Sequence, residues 1–460
     1  MNKEINLNRR KFLQNSARLG AGLIIAPYIL PSTVFGANAP SNRINIGAIG
    51  NGRISREHDM PGVWKYDDVR IIGLSDLDAK RLGEGKELVQ KIYSQKLGTA
   101  YNEVKTYLNY RELLENKDID AVLISTPDHW HASQAIDAVR AGKHVYLQKP
   151  TSLTIEEGRK MSNAVNSTGK IFQIGSQQRS SDQFRFACEL IRSGRIGQLK
   201  TVEIRLPGDP PGGDAKEMPI PAGFNYDMWL GQTPYVPYTI DRVHPQEGYG
   251  RPGWLRCEQF GAGMITGWGA HHFDIAHWAM DTEYTGPIEI SGSAEFPKSG
   301  LWDVHGNYET EMLYANGVRV FGVTESREKP NGLLFTGTEG WIFVCRGDYV
   351  ASASDPVTNA SSKALVASDP KILAPLKDND VHLYVSKDHH GNWLESIKSG
   401  KMNITPAEVA HRSCSVCLLQ HIAMKLKRKL YWDPTLERFN NDDEANAMLS
   451  RPQRPPYIVS

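Results

Sequence analysis

The chain has 460 residues, enough for two domains and a large core. Its 53 Lys+Arg and 52 Asp+Glu nearly cancel, so it lacks the basic excess that nucleic-acid or membrane-surface partners demand. Five scattered cysteines, an odd number, argue against a disulfide framework; Cys414-x-x-Cys417, with no second pair near it, reads as packing within a helix over 406–426.

In chain order, residues 1–39 read as a targeting segment. Arg9-Arg10 is followed by Lys11-Phe12-Leu13, then by a mildly apolar stretch at 19–30 that Pro27 interrupts and that is too short for a stable anchor. Ala37-Asn38-Ala39 offers a small-residue cleavage site. This resembles a twin-arginine export signal, which implies the twin-arginine translocase as a partner, a periplasmic location without stable membrane insertion, and a nucleotide loaded before export.

The next stretch organises the chain. Ile44 to Ile49 is a short apolar run that reads as a buried strand. It breaks into Gly50-x-Gly52-x-x-Ser55 and enters a helix, the dinucleotide fingerprint with Ser in place of the third glycine. Gly50 permits the tight turn, Gly52 lets the backbone approach a pyrophosphate, and the helix N-terminus offers N–H groups to the phosphates, with Arg53 and Ile54 beside them. Asp76 ends the next apolar run, about 20 residues on, where a carboxylate grips ribose hydroxyls. Its charge favours NAD over NADP, a preference that Arg53 and Arg81 soften.

A helix over 79–96 follows, then one beginning at 107, with Asn109 and Glu112 as a capping box. Strand 120–127 ends at Thr126-Pro127, and a loop, Asp128-His129-Trp130-His131, sits at its carboxyl end, where such sheets bind ligands. Helix 132–141, strand 144–147 ending in Gln148-Lys149-Pro150, helix 155–166 and strand 171–175 complete the alternation. The fold class is therefore α/β, with a Rossmann doubly wound parallel sheet in a domain over 40–175.

From 176 the pattern changes. Helix 183–193 and a β-branched run at 200–206 precede a Pro/Gly-rich excursion over 207–252; loops of that length tend to be functional. Runs at 288–294, 307–314, 319–324, 332–338 and 340–345 alternate like strands. They predict a C-terminal α+β domain over 176–460 with a large open, mostly antiparallel sheet. Residues 352–368 read as a mobile loop, and helix 406–426 as long and amphipathic. From about Gly269 a helix carries His271, Asp274 and Trp278 on one face, with His272 turned away by about 100°. Neither an HExxH nor a cysteine cluster accompanies these histidines, so no metal site is expected. Trp130, Trp229, Trp254 and Trp268 offer flat rings suited to the C–H faces of a carbohydrate.

Taken as a set, the glycine loop, Thr126-Pro127, His131, Val145-Tyr146-Leu147-Gln148-Lys149-Pro150, Ile174-Gly175-Ser176-Gln177-Gln178-Arg179, Gly194-Arg195-Ile196-Gly197 and the histidine-rich stretch 261–278 resemble the Gfo/Idh/MocA oxidoreductases, the relatives of glucose–fructose oxidoreductase and inositol dehydrogenase. The resemblance covers residues 43–455. It implies Lys149 and His271 as catalytic groups, the histidine as general base. It implies a nicotinamide nucleotide held by Gly50, Gly52, Arg53, Ile54, Asp76, Thr126, Pro127, His131, Gln148, Lys149 and Gln178. A sugar would then meet Trp130, Arg179, Trp229, Trp254, Trp268 and His272, and a homo-oligomer would form through the second sheet. The sequence departs from the family pattern twice: Gln148 stands for a glutamate and Gly267 for an aspartate. Two other readings stay open, a glycosidase working through transient oxidation and elimination, and a non-catalytic nucleotide-binding scaffold.

Overall fold

The computed structural model describes residues 43–347 and 363–460; residues 1–39, expected from the sequence to be an export signal, lie outside them. Strand β1 (Ile44–Ile49) is almost wholly buried, as its apolar character on both faces requires. A π-helical turn (Ser55–Asp59) runs into α1 (Met60–Trp64). Then come β2 (Val69–Ser75), α2 (Ala79–Leu97), β3 (Lys105–Tyr107) and α3 (Tyr110–Glu115). Asp78 caps α2 by accepting from the N–H groups of Lys80 and Arg81, and left-handed Gly98 closes it. Asn109 caps α3 through the Arg111 N–H, while Tyr107, expected inside that helix, ends β3 instead. β4 (Ala121–Ile124), α4 (Asp128–Arg140), β5 (His144–Leu147), α5 (Ile155–Thr168) and β6 (Phe172–Ile174) follow. The strand order is β3-β2-β1-β4-β5-β6, every pair parallel. The order reverses between β1 and β4, which opens a crevice at the carboxyl ends of those strands.

One local expectation is corrected here. Residues 128–131 are the first turn of α4, not a loop: Pro127 fixes an extended backbone just before it, and Trp130 N–H already reaches Pro127 O at 2.9 Å.

The second half begins with α6 (Asp182–Arg192) and β7 (Leu199–Leu206). The long excursion holds one short helix, α7 (Tyr226–Leu230), and ends at α8 (Met264–Gly267) and α9 (Gly269–Met280). Strands β8 (Pro287–Ala294), β9 (Tyr308–Tyr314), β10 (Arg319–Thr324), β11 (Gly332–Gly337), β12 (Trp341–Val344) and β13 (Leu365–Ala367) come next. The loop expected over 352–368 thus ends in a strand, and residues 352–362 lie outside those described. Helix α10 (His389–Ser399), not expected from the sequence pattern, packs on α1. The chain closes with α11 (Ala407–Leu426), β14 (Leu430–Asp433), β15 (Arg438–Phe439) and α12 (Asp443–Ala447). The sheet runs β13-β12-β11-β7-β10-β9-β8-β14-β15, antiparallel except for β7 beside β10.

In β7 the alternation is plain: Val202, Ile204 and Leu206 point into the core while the residues between them stay partly exposed. That core lies between the sheet and helices α6, α9 and α11. α11 is not amphipathic. It is buried on nearly every side because it packs on α5 of the first half as well as on β8 and α9 of the second. Among the described residues no helix is long and apolar enough to cross a membrane.

A buried ion pair joins α9 to the segment after β6. Arg179 reaches Asp274 with Nε at 2.6 Å from Oδ2 and Nη2 at 2.9 Å from Oδ1, and it also pairs with Glu283. Its guanidinium lies 5.0 Å from the Trp278 ring, and Ser413 of α11 donates to the same carboxylate at 2.8 Å. Arg179 is therefore not the substrate ligand expected from the sequence; its donors are spent on Asp274 and Glu283. Asp274→Ala strips one partner from this buried guanidinium and is expected to cost about 3–5 kcal/mol in unfolding free energy, measured by urea denaturation.

Candidate active site

The crevice at the switch point opens into a cavity of ≈ 580 Å³ walled by both halves. Its floor is the glycine loop. Gly50 has φ +85°, and a Cβ there would lie 2.8 Å from Ser125 O, so only glycine fits between β1 and β4. A Cβ on Gly52 would meet only Arg81 Nη1, at 3.6 Å, which leaves the room above this backbone that a pyrophosphate needs. Arg53 and Ile54 line the same wall. The Asp76 carboxylate accepts from Asn51 N at 2.7 Å and Asp78 N at 3.0 Å, and it stands at the cavity edge in the position of a ribose ligand. These residues fit a dinucleotide.

At the far end the two halves meet. Lys149, just after β5, donates from Nζ to Gly267 O at 2.7 Å, at the end of α8. The side chain missing at Gly267 leaves space: a Cβ there would touch only Met264, at 3.4 Å. His271, in the first turn of α9, lines the cavity beside Lys149. Its Nδ1 is buried without a hydrogen-bond partner among the described residues. Burial, reinforced by the positive charges of Arg346 and Lys149, holds its pKa well below the ordinary value, so the imidazole is neutral at pH 7. Arg346 stacks 4.4 Å from the Trp268 ring. Gln178 lines the cavity too. With its amide turned so that nitrogen donates to His271 O and His272 Nδ1, its oxygen accepts from Arg346 Nε at 3.0 Å.

Two expected ligands stand back from the wall. His131 is buried between strand ends, with Nδ1 2.5 Å from Pro150 O and Nε2 2.9 Å from Thr126 O; it fastens the turns after β4 and β5 rather than facing a ligand. His272 lies between Gln178 and Asn331, whose Oδ1 is 3.0 Å from Nε2, so it orders the wall without joining it. Thr126, Pro127, Gln148, Trp130, Trp229, Trp254 and Trp268 are all on the cavity wall. Gln148 turns part of its amide away and donates to the buried Asp59 carboxylate at 2.7 Å. Trp130 is largely a core ring whose N–H reaches Trp229 O at 3.0 Å.

Sequence reasoning passed over Asp128, the first residue of α4. It lines the cavity and is only 3% exposed. Burial pushes its carboxyl up to about 8, against the opposing charge of nearby Lys149. The available signal was its place directly after Thr126-Pro127, at a strand end facing the crevice. Arg346, whose neighbours come from elsewhere in the chain, gave no local signal.

The fold and site have known counterparts. The model of an oxidoreductase family's NAD-binding Rossmann fold, that of the Gfo/Idh/MocA proteins, matches residues 44–176. The model of the same family's C-terminal alpha/beta domain matches residues 212–358 and 373–459. The chain belongs to the Gfo/Idh/MocA oxidoreductase family. Among relatives of this family member, an alpha-N-acetylgalactosaminidase of Shewanella oneidensis is 29% identical over 208 residues, 42% of this chain and 44% of that protein. The uncharacterized oxidoreductase YrbE of Bacillus subtilis is 29% identical over 164 residues, 36% of this chain and 44% of its own. The chain thus matches less than half the length of these relatives. Among solved structures, the WlbA dehydrogenase of Bordetella pertussis, in complex with NADH and UDP-GlcNAcA, superposes with a TM-score of 0.59 at 14% identity, over 85% of this chain and 99% of that one. An aldose–aldose oxidoreductase of Caulobacter crescentus, complexed with glycerol, gives 0.56 at 18% identity over 85% and 99%. At these identities the structures show a shared fold.

A carboxyl whose folded pKa lies above its unfolded value stabilises the protein fully at pH values below the unfolded pKa. That stability is lost as pH rises through the folded one. Asp128 therefore costs stability between the ordinary carboxylate range and about pH 8. Asp128→Asn is expected to flatten the decline of thermal stability across that window, as read by melting curves at pH 4 to 8.

Proposed function

We propose that the protein is an exported NAD-dependent oxidoreductase acting on a secondary hydroxyl of a sugar or glycoside, with the nucleotide tightly held. The observation that carries this reading is the meeting of Lys149 and His271 in one cavity with the glycine loop. When bound, the nicotinamide supplies the hydride acceptor. Lys149, fixed by Gly267 O, points an ammonium at the substrate oxygen and stabilises the charge that grows there. His271, neutral and with Nδ1 unpartnered, takes the hydroxyl proton. The tryptophan rings on the wall suit a carbohydrate, as do the UDP-GlcNAcA bound to the WlbA dehydrogenase and the galactosaminidase activity in the Shewanella relative's name. Asp76 disfavours a 2′-phosphate, which supports NAD over NADP, and Arg81, on the same cavity wall, softens that preference. Homo-oligomerisation through the outer face of the second sheet, where Trp341 is half-exposed, belongs to the same reading.

A second reading, a glycosidase that oxidises, eliminates the aglycone, adds water and reduces back, is favoured by Asp128. Simple alcohol oxidation needs one proton acceptor. A buried protonated carboxyl in the same cavity adds the acid that a leaving group requires. The name of the Shewanella relative points the same way.

Lys149→Ala is expected to lower turnover by about 10²–10⁴-fold while nucleotide still quenches tryptophan fluorescence. Turnover at the wild-type rate would refute the assignment. Mass spectrometry of products from aryl glycosides separates the readings: a keto-glycoside supports the dehydrogenase, free aglycone with intact sugar the glycosidase.

For the export reading, the twin arginines Arg9 and Arg10 and the Ala37-Asn38-Ala39 site are the support. Intact-mass analysis of the periplasmic fraction is expected to find a chain that starts close to residue 40. Full-length chain confined to the cytoplasm would overturn this.

A further inference from the structure

The excursion that precedes α8 returns across the nucleotide end of the cavity along residues 244–250. Before it, Val243 is fully buried, and after it Gly253 is buried, so a short surface segment spans two fixed points. Nearly every residue of that segment is tied to the Rossmann half. His244 Nε2 lies 2.9 Å from Asp78 Oδ2, two residues beyond the ribose-side Asp76. Lys80 donates to Gln246 O at 2.8 Å and pairs with Glu247 at 3.3 Å. Arg81 Nη2 donates to Pro245 O at 2.9 Å and to Gly248 O at 3.4 Å. The Tyr249 hydroxyl donates to the Glu84 carboxylate. The Tyr249 ring faces two guanidiniums, Arg56 at 4.2 Å and Arg81 at 4.8 Å. Arg56 follows the glycine loop and Arg81 lies on α2, so this one ring bridges both walls of the nucleotide crevice. His244 and Gly250 are themselves cavity wall, alongside Gly52, Asp76 and Arg81.

Two glycines of the segment have open space around them. Gly248 has φ +70° with open space around its Cβ position, and Gly250 has only Pro245 near, at 3.8 Å. These two glycines flank Tyr249, so the backbone can swing there at little steric cost.

We infer that residues 244–250 are a retaining strap that must open before a dinucleotide leaves, so that opening of this segment limits nucleotide release. The inference rests on the oxidoreductase reading above.

The test measures release. Wild-type protein, Tyr249→Ala and Glu84→Gln are loaded with etheno-NAD, and its dissociation is followed by fluorescence during a chase with excess NAD. Tyr249→Ala is expected to release at least about 10-fold faster than wild type, and Glu84→Gln, which weakens only the hydroxyl contact, by a smaller factor in the same direction. Melting curves of the nucleotide-free proteins show whether Tyr249→Ala is folded; if it is not, Glu84→Gln decides. Equal release rates in wild type and variant would overturn the strap while leaving the oxidoreductase reading intact. Failure of wild type to bind etheno-NAD at all would remove both.

Discussion

The hydrogen bond from Lys149 Nζ to Gly267 O fastens the end of a parallel strand in one half to the short helix just before the histidine-bearing one in the other. An ammonium in a largely enclosed cavity needs an acceptor, and a backbone carbonyl without a side chain beside it can serve without crowding the space in front. That bond lies on the cavity wall where the two halves meet, and His271 stands in the same cavity, which also holds the glycine loop whose turn requires Gly50.

Around this junction the charges arrange themselves by burial. His271 loses its proton because desolvation and two nearby cations disfavour the imidazolium, and Asp128 keeps its proton because desolvation outweighs Lys149. At neutral pH one group is thus unprotonated and the other protonated, set by environment and not by residue type. The groups behind the wall are paired instead. Arg179 is consumed by Asp274 and Glu283, and Asp59 collects bonds from Ser125 and Gln148. A side chain whose hydrogen-bonding capacity is spent in the interior holds the site rather than acting in it.

The two halves share more than the site. α11 is buried between α5 and the second sheet, and the 244–250 segment crosses back over α2. The nucleotide crevice, usually open at the edge of a doubly wound sheet, therefore carries a polar and aromatic cover contributed by the other half of the chain.

The amino-acid sequence alone determined the parallel alternation of the first half, the glycine loop and Asp76, each written in local pattern: period, glycine placement, or position at a strand end. Lys149 and His271 came from the family resemblance, and the structure sets both on the wall of one cavity. The second sheet was also legible as a set of alternating runs, although its order was not, because strand pairing is non-local. Tertiary structure decided the rest. Arg179 and His131 looked like ligands, but carboxylates 95 and 104 positions away and main-chain carbonyls of adjoining turns had already claimed them. Asp128 looked like a loop residue and became a buried acid because Pro127 starts a helix there and the second half closes over it. Pattern records which residues face a core. Which buried polar groups are satisfied, and which are left free for a ligand, depends on partners that only folding brings within 3 Å.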